Sequence, residues 1–174
     1  MESKLFGAIY IKYGIFIRWT GISAGIAALV MMVLVSADII GRKLFNAPVA
    51  GAYEITESLL TFSIYFGVTY TQYERGHVRV TLFTDKLSGR FGSILLGVTY
   101  LVGFIFFIYV SYCMASFAWD SWTVREIKPG LIEYPLYPVK ALAAVGMFLL
   151  GVQFLLDAIR EFIIPRQGEE SYHE

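Results

Sequence analysis

The sequence predicts an all-α integral membrane protein with four transmembrane helices, and three observations lead to this fold class. Four long apolar stretches, separated by polar segments, fill most of the 174 residues. The chain is 57% hydrophobic and only 16% charged, whereas about a quarter of a typical soluble domain is charged. Each stretch approaches or exceeds the roughly 20 residues that an α-helix needs to cross a bilayer. Residues 1–174 are therefore predicted to form a single membrane domain, with no room for a soluble catalytic domain.

The first predicted span covers residues 19–40. Before it, residues 5–17 mix apolar side chains with Lys12, a composition that indicates a short interfacial helix along the membrane surface. Gly14 weakens that prediction, because glycine is a poor helix former.

The second predicted span, residues 55–73, carries an unusual polar stripe. Its members recur at three- and four-residue spacing and so share one helix face. A polar stripe on a membrane helix should face protein or water rather than lipid. We therefore expect this face, with the end of the first span, to contact a larger membrane protein. The candidate contact residues are Arg42, Glu54, Glu57, Thr61, Tyr65 and Gln72.

Glu57 is the strongest functional candidate among the ionisable residues, because exposing a carboxylate to hydrocarbon is costly. It could bind a proton or cation, or pair with a basic residue, and structural pairing is the favoured interpretation. Glu54 lies nearer the helix start, where an acid complements the helix dipole. Arg42 could pair with Asp38 at i,i+4 spacing or with Glu54.

The third and fourth predicted spans cover residues 92–119 and 138–163. The third is longer than a crossing requires, so it must tilt or protrude. The fourth begins at Pro138, because proline is favourable in a first helical turn, and it ends where Asp157 and other charges return to the interface. The basic loop between residues 74 and 91 is predicted to lie partly flat on the membrane as an amphipathic helix.

Lys and Arg residues predict the orientation. Nine of the fourteen lie on the side that holds both termini and the loop at residues 74–91, and five lie on the other side. Cytoplasmic loops are enriched in Lys and Arg. Both termini are therefore predicted to be cytoplasmic, and the loops at residues 41–54 and 120–137 to face outward.

Several function classes lack the residues they need. The two histidines, His77 and His173, fall outside the predicted spans, so haem ligands within the bilayer are missing. One cysteine and two histidines cannot make a Cys/His metal cluster. No phosphate-binding loop, nucleophile elbow or HExxH motif occurs, and zero net charge does not suggest nucleic acid. The chain is predicted not to be an enzyme and to bind no cofactor.

A series of short motifs resembles the small, DctQ-like membrane subunit of tripartite ATP-independent periplasmic (TRAP) transporters. That family shows an Arg-x-x-Phe-Asn-x-Pro segment, an acidic helix entry, and a glycine ten residues before a Gly-His basic loop. The chain lacks the Trp that often precedes the acidic entry and the Trp common within the following helix. The residues that carry the resemblance are Arg42, Phe45, Asn46, Pro48, Glu54, Gly67, Gly76, His77 and Pro138.

The resemblance implies an accessory role in the bacterial inner membrane. A larger permease would hold the substrate and sodium sites, and a periplasmic binding protein would deliver the substrate, usually an organic acid. The small subunit would brace the permease while a mobile domain moves. Exposed charges on the second outer loop are the candidates for contact with the binding protein, namely Arg125, Glu126, Lys128 and Glu133.

Two other functions stay open on the sequence alone. A self-sufficient four-helix exporter could use Glu57 as its proton site. An anchor subunit that carries quinone or haem would show a chromophore, although the missing histidines disfavour haem.

Overall fold

A computed structural model describes residues 2–74, 90–128 and 133–163, and within them the chain is helical apart from short connecting segments and one small hairpin. The all-α fold class is confirmed. The strands are antiparallel, with Ile127 opposite Pro135 and Lys128 opposite Tyr134. The elements in chain order are α1 (Glu2–Leu44), α2 (Ala52–Tyr73), α3 (Arg90–Thr123), β1 (Ile127–Lys128), β2 (Tyr134–Pro135) and α4 (Tyr137–Ile163).

The predicted interfacial segment and the first span are one continuous helix, α1. The expectation of a separate element before the first crossing is therefore wrong. Gly14 does not break α1 but permits a close contact, because a Cβ there would lie 2.2 Å from the Tyr73 hydroxyl oxygen. Glycine lets a neighbouring helix approach more closely than any other residue.

Three helices of the described chain are long and apolar enough to cross a membrane, judged by length and composition. They correspond to the first, third and fourth predicted spans. Helix α2 is not among them, although it is a regular helix of 22 residues. Its stripe of carboxylates, threonines and glutamine lowers its mean hydropathy. The three helices are Tyr10–Leu44, Ile94–Thr123 and Tyr137–Phe162.

Helices α2 and α4 occupy the middle of the bundle. Helix α2 packs against both α1 and α4, and α3 packs along α4. Gly146 of α4 lies against α2, where an added Cβ would be 2.6 Å from the Tyr65 Cβ. Gly103 of α3 receives the Phe154 ring in the same way. The polar helix is thus flanked by two apolar ones, which cover part of its surface.

The segment after α1 folds back on the helix end. The amide nitrogens of Phe45 and Ala47 donate to the Gly41 carbonyl at 3.1 and 3.2 Å. Asn46 adopts a left-handed backbone with φ 52°, and asparagine tolerates this conformation better than most residues. The Val49 amide donates to Asp38 at 2.9 Å. The Asn of the family-like motif therefore forms a turn rather than a ligand site.

Some sequence predictions fall on residues outside the described ranges. These are the amphipathic loop between residues 75 and 89, with its Gly76 and His77, and the polar tail from residue 164 onward.

Candidate functional site

The first polar site joins the hairpin to the start of α2. The Lys128 ammonium group donates to the Glu57 carboxylate and forms an ion pair with it. The same ammonium lies 4.7 Å from the centroid of the Tyr53 ring, a cation–π arrangement. The Ser58 and Tyr134 hydroxyls are hydrogen-bonded at 2.8 Å. These contacts hold the hairpin against α2.

The pairing with Glu57 also affects the ionisation of Lys128. Its hydrogen bond to Glu57 raises the pKa of Lys128 above its ordinary value. A lysine held in this way stays charged throughout the physiological range. Glu57 therefore has a basic partner within its own chain, on the hairpin.

A second ion pair joins the hairpin to α3 and α4. Lys140 donates to Glu126 at 2.5 Å, and the Ser121 hydroxyl donates to the same carboxylate oxygen at 2.7 Å. The Lys140 hydrogen bond, followed by that of Ser121, holds the pKa of Glu126 below its ordinary value. The hairpin is thus tied to α2, α3 and α4 at one end of the bundle.

The third polar site is buried between α2 and α4. The Gln72 side-chain amide donates to one Asp157 carboxylate oxygen at 3.0 Å, and that of Gln153 donates to the other at 3.1 Å. Asp157 is only 1% exposed. One turn of α2 away from Gln72, the buried Thr69 hydroxyl contacts the Gly146 carbonyl at 3.3 Å. Gln72 and Thr69 of α2 thus bond to α4 of the same chain, whereas the buried Gln153 Oε1 and Thr56 Oγ1 have no hydrogen-bond partner among the described residues.

Sequence reasoning missed this buried cluster. It placed Asp157 at the interface, where charges return to water, but the structure encloses Asp157 in protein. The i,i+4 spacing of Gln153 and Asp157 was the available signal, because it places both on one helix face.

The polar stripe of α2 faces protein, but much of that protein is the chain's own. Glu54 and Gln72 are buried, and Glu57 pairs with the hairpin. Tyr65 packs on Gly146. Glu54 and Gln72 are thus covered by this chain itself, and the contact of the stripe with a larger subunit stays a prediction.

The remaining contact candidates are more accessible or bond locally. The Thr61 hydroxyl donates to the Glu57 carbonyl of its own helix at 2.9 Å. Arg42 pairs with Asp38 at 2.8 Å, which confirms the i,i+4 alternative. Arg125 and Glu133 are exposed, whereas Glu126 and Lys128, the other two outer-loop charges, are in ion pairs.

The family-like residues fall into two groups. Phe45 is 75% exposed beside the turn at Asn46, and Pro48 is exposed as well. Gly67 of α2 has open space around it, because an added Cβ would meet nothing within 4 Å. Pro138 lies in the first turn of α4, as expected from its sequence position.

The described residues contain no group of three or more His, Cys, Asp or Glu side chains placed to hold a metal ion. Their polar sites are instead hydrogen-bonded pairs and clusters that connect helices.

Comparison with known families gives one result that matches this architecture. The family described as tripartite ATP-independent periplasmic transporters, DctQ component, matches residues 31–163. The match begins within α1 and ends at the last residue of α4, so it contains α2, α3 and the hairpin completely. No curated protein and no solved structure matches the chain. The matched region covers about three quarters of the 174 residues, and the chain belongs to the DctQ component family of TRAP transporters.

Proposed function

We propose that this chain is a scaffold subunit that braces the large permease of its transporter, and that it carries no substrate itself. The observation that supports this role is the closed polar packing between α2 and α4. Asp157 accepts from both Gln72 and Gln153, and Thr69 contacts Gly146. A substrate path needs polar groups open to a pathway, whereas these groups bind one another.

The outer surface of the bundle supports a membrane-embedded partner. Helix α1 is packed mainly on the side that meets α2 and exposes large apolar side chains along its length. Lipid or another membrane helix can cover such a surface. The exposed side chains include Trp19, Ile22, Ile26, Leu29, Val33 and Ile40.

Helix α2 gives the more specific argument for protein. It has a polar sequence, and α1 and α4 cover only part of it. Tyr53 and Ile64 stay exposed, and Thr61 is half-buried. We propose that α2 is a fourth crossing and that the large permease covers its open side near Thr61 and Gly67. Open space at Gly67 would let a partner helix approach closely.

The proposal also covers the orientation of the chain in the membrane and the coupling of uptake to sodium. Both termini lie in the cytoplasm of a bacterial inner membrane, and the hairpin faces the periplasm. The permease couples uptake to sodium at sites of its own, and a periplasmic binding protein delivers an organic acid. The support is family membership and the excess of Lys and Arg on the terminal side.

Deletion and co-purification test the scaffold role. The tagged chain should co-purify with a large multi-helix permease from native membranes. Deleting the chain should abolish uptake while the permease still reaches the membrane. Undiminished uptake in the deletion strain contradicts the proposal.

Reconstitution separates this role from that of a self-sufficient exporter. The purified chain alone in liposomes should show no proton-driven solute flux. Flux that depends on Glu57 would establish the exporter instead. The ion pair of Glu57 with Lys128 already weighs against a free proton site at that position.

A further inference from the structure

Two adjoining cavities lie at the hairpin end of α3 and α4. The first, of about 540 Å³, is an apolar groove between the two helices. Its sides include Ala115 and Ala118 of α3 and Ala141 and Ala144 of α4, with Trp119 beside them. Alanine side chains are too short to fill the space between the helices, so a channel is left along the bundle surface.

The second cavity, of about 510 Å³, continues toward the hairpin and is charged. Arg125 and Glu133 both line it. Trp122 and Tyr137 line both cavities and pack edge to face with ring centroids 4.7 Å apart. These two rings therefore lie where the alanine-lined groove meets the cavity that Arg125 and Glu133 line. Trp and Tyr favour this position at a membrane surface, because one end of each ring system is apolar and the other is wet.

We propose that the two cavities form one binding site for a phospholipid whose headgroup carries both a phosphate and a primary amine. An acyl chain lies in the alanine-lined groove, and the headgroup lies beyond Trp122 and Tyr137. The Arg125 guanidinium binds the phosphate, and the Glu133 carboxylate binds the ammonium group.

Charge complementarity selects this occupant. Of the four charges on the loop, Glu126 and Lys128 are neutralised by Lys140 and Glu57. Arg125 and Glu133 are in no ion pair with any residue that the structure describes, although they line the same cavity. One cation and one anion left open together match a zwitterionic headgroup. A lipid with phosphate and no amine would leave Glu133 without a partner and close to a like charge.

The proposal gives Arg125 and Glu133 a different role from the one predicted from the sequence, which was contact with a periplasmic binding protein. It does not depend on the scaffold function, because the site is built from this chain alone. The experiments below distinguish lipid binding by Arg125 and Glu133 from contact of these residues with the binding protein.

Native mass spectrometry of the purified full chain tests the site. The probes are phosphatidylethanolamine and phosphatidylglycerol, added in equal amounts to the detergent-solubilised protein. The wild-type chain should retain one phosphatidylethanolamine with about tenfold preference, the gain expected from one charge-assisted hydrogen bond. Equal retention of the two lipids, or retention of neither, overturns the proposal.

Substitutions test the headgroup contacts and the acyl-chain groove separately. Glu133→Gln should remove the preference for the amine-bearing lipid while keeping a bound lipid, and it changes an exposed side chain that forms no ion pair with the described residues. Arg125→Gln should weaken retention of both lipids. Ala141→Phe should fill the groove and prevent retention. The matched controls are Lys43→Gln and Ala37→Phe, at exposed positions of α1, and both should bind lipid like the wild type.

Two results count against the site. Unchanged lipid preference in Glu133→Gln overturns the headgroup assignment. Unchanged lipid retention in Arg125→Gln, together with weaker capture of the periplasmic binding protein by the intact transporter, would assign these charges to the protein partner.

Discussion

Lys128 of β1 forms an ion pair with Glu57 of α2, although 71 residues separate them in the sequence. The pair joins the short hairpin to α2, the helix that carries the polar stripe. It also gives the one carboxylate that resembled a transport site a structural partner. The relationship changes what each residue is expected to do, and it leads to the first prediction.

Glu57→Gln should leave uptake by the complete transporter close to the wild-type level, because the Glu57 side chain pairs with Lys128 and anchors the hairpin. Uptake of labelled substrate into proteoliposomes that contain both membrane subunits is the measurement. The double variant Glu57→Gln/Lys128→Gln is the control, and it should be no less active than the single variant, since no unpaired lysine is left. Complete loss of uptake in Glu57→Gln with intact assembly would contradict the anchoring role.

Gly146→Ala should lower the free energy of unfolding by about 1–3 kcal/mol, the typical cost of overpacking a tight contact. The new Cβ would lie 2.6 Å from the Tyr65 Cβ and would push α2 away from α4. Unfolding of the purified chain in mixed micelles gives the value.

Gly25→Ala is the matched control, because a Cβ at this position of α1 meets nothing within 4 Å. It should be neutral or stabilising by up to about 1 kcal/mol, the difference in helix propensity between the two residues. Equal effects of the two substitutions would show that the contact at Gly146 is not tight.

Gln72→Leu should destabilise the bundle by about 1–3 kcal/mol, because it removes a donor from a carboxylate that is enclosed in protein. Asp157 keeps its bond from Gln153 but loses its bond from Gln72 of α2. The same micelle unfolding assay reports this change.

Thr61→Val on the same helix provides the comparison. The Thr61 hydroxyl bonds only its own helix backbone in the described contacts, so its loss should change the free energy of unfolding by less than about 0.5 kcal/mol. If Thr61→Val were as damaging as Gln72→Leu, the α2–α4 bond would not be the source of the effect.

Acid should loosen the hairpin through Glu126. The folded pKa of Glu126 lies below its ordinary value because Lys140 and Ser121 donate to the carboxylate. The stabilisation is therefore complete above the ordinary carboxyl pKa of about 4.3 and is lost as the pH falls through the lower folded value. Exchange of the Leu136 amide, which donates to the Glu126 carbonyl at 3.1 Å, reports the loss. Glu126→Gln should exchange faster at neutral pH and should lack this additional acid dependence.

Sequence reasoning came close to the boundaries of α2 and α4, because apolar length is a local property, whereas α1 begins at Glu2 and not at residue 19. The fourth predicted span begins at Pro138, and α4 begins at Tyr137. Errors arose where contacts between residues distant in the sequence determine the structure. Gly14 weakened the prediction of a helix before the first span, yet the helix continues through it and Tyr73 occupies the space that its missing side chain leaves. The two-residue strands of the hairpin are too short for any periodic signal.

The amino-acid sequence by itself determined that the chain is a helical membrane protein, since long apolar helices satisfy their own backbone hydrogen bonds and need no distant residue to be recognised. It also carried the ordered motifs that indicated the family. Tertiary structure alone decided that Asp157 meets Gln72, that Glu57 meets Lys128, and that Arg125 and Glu133 are left open beside an apolar groove. The partner of a side chain depends on which helices pack against each other, and this packing cannot be read from the order of residues along the chain.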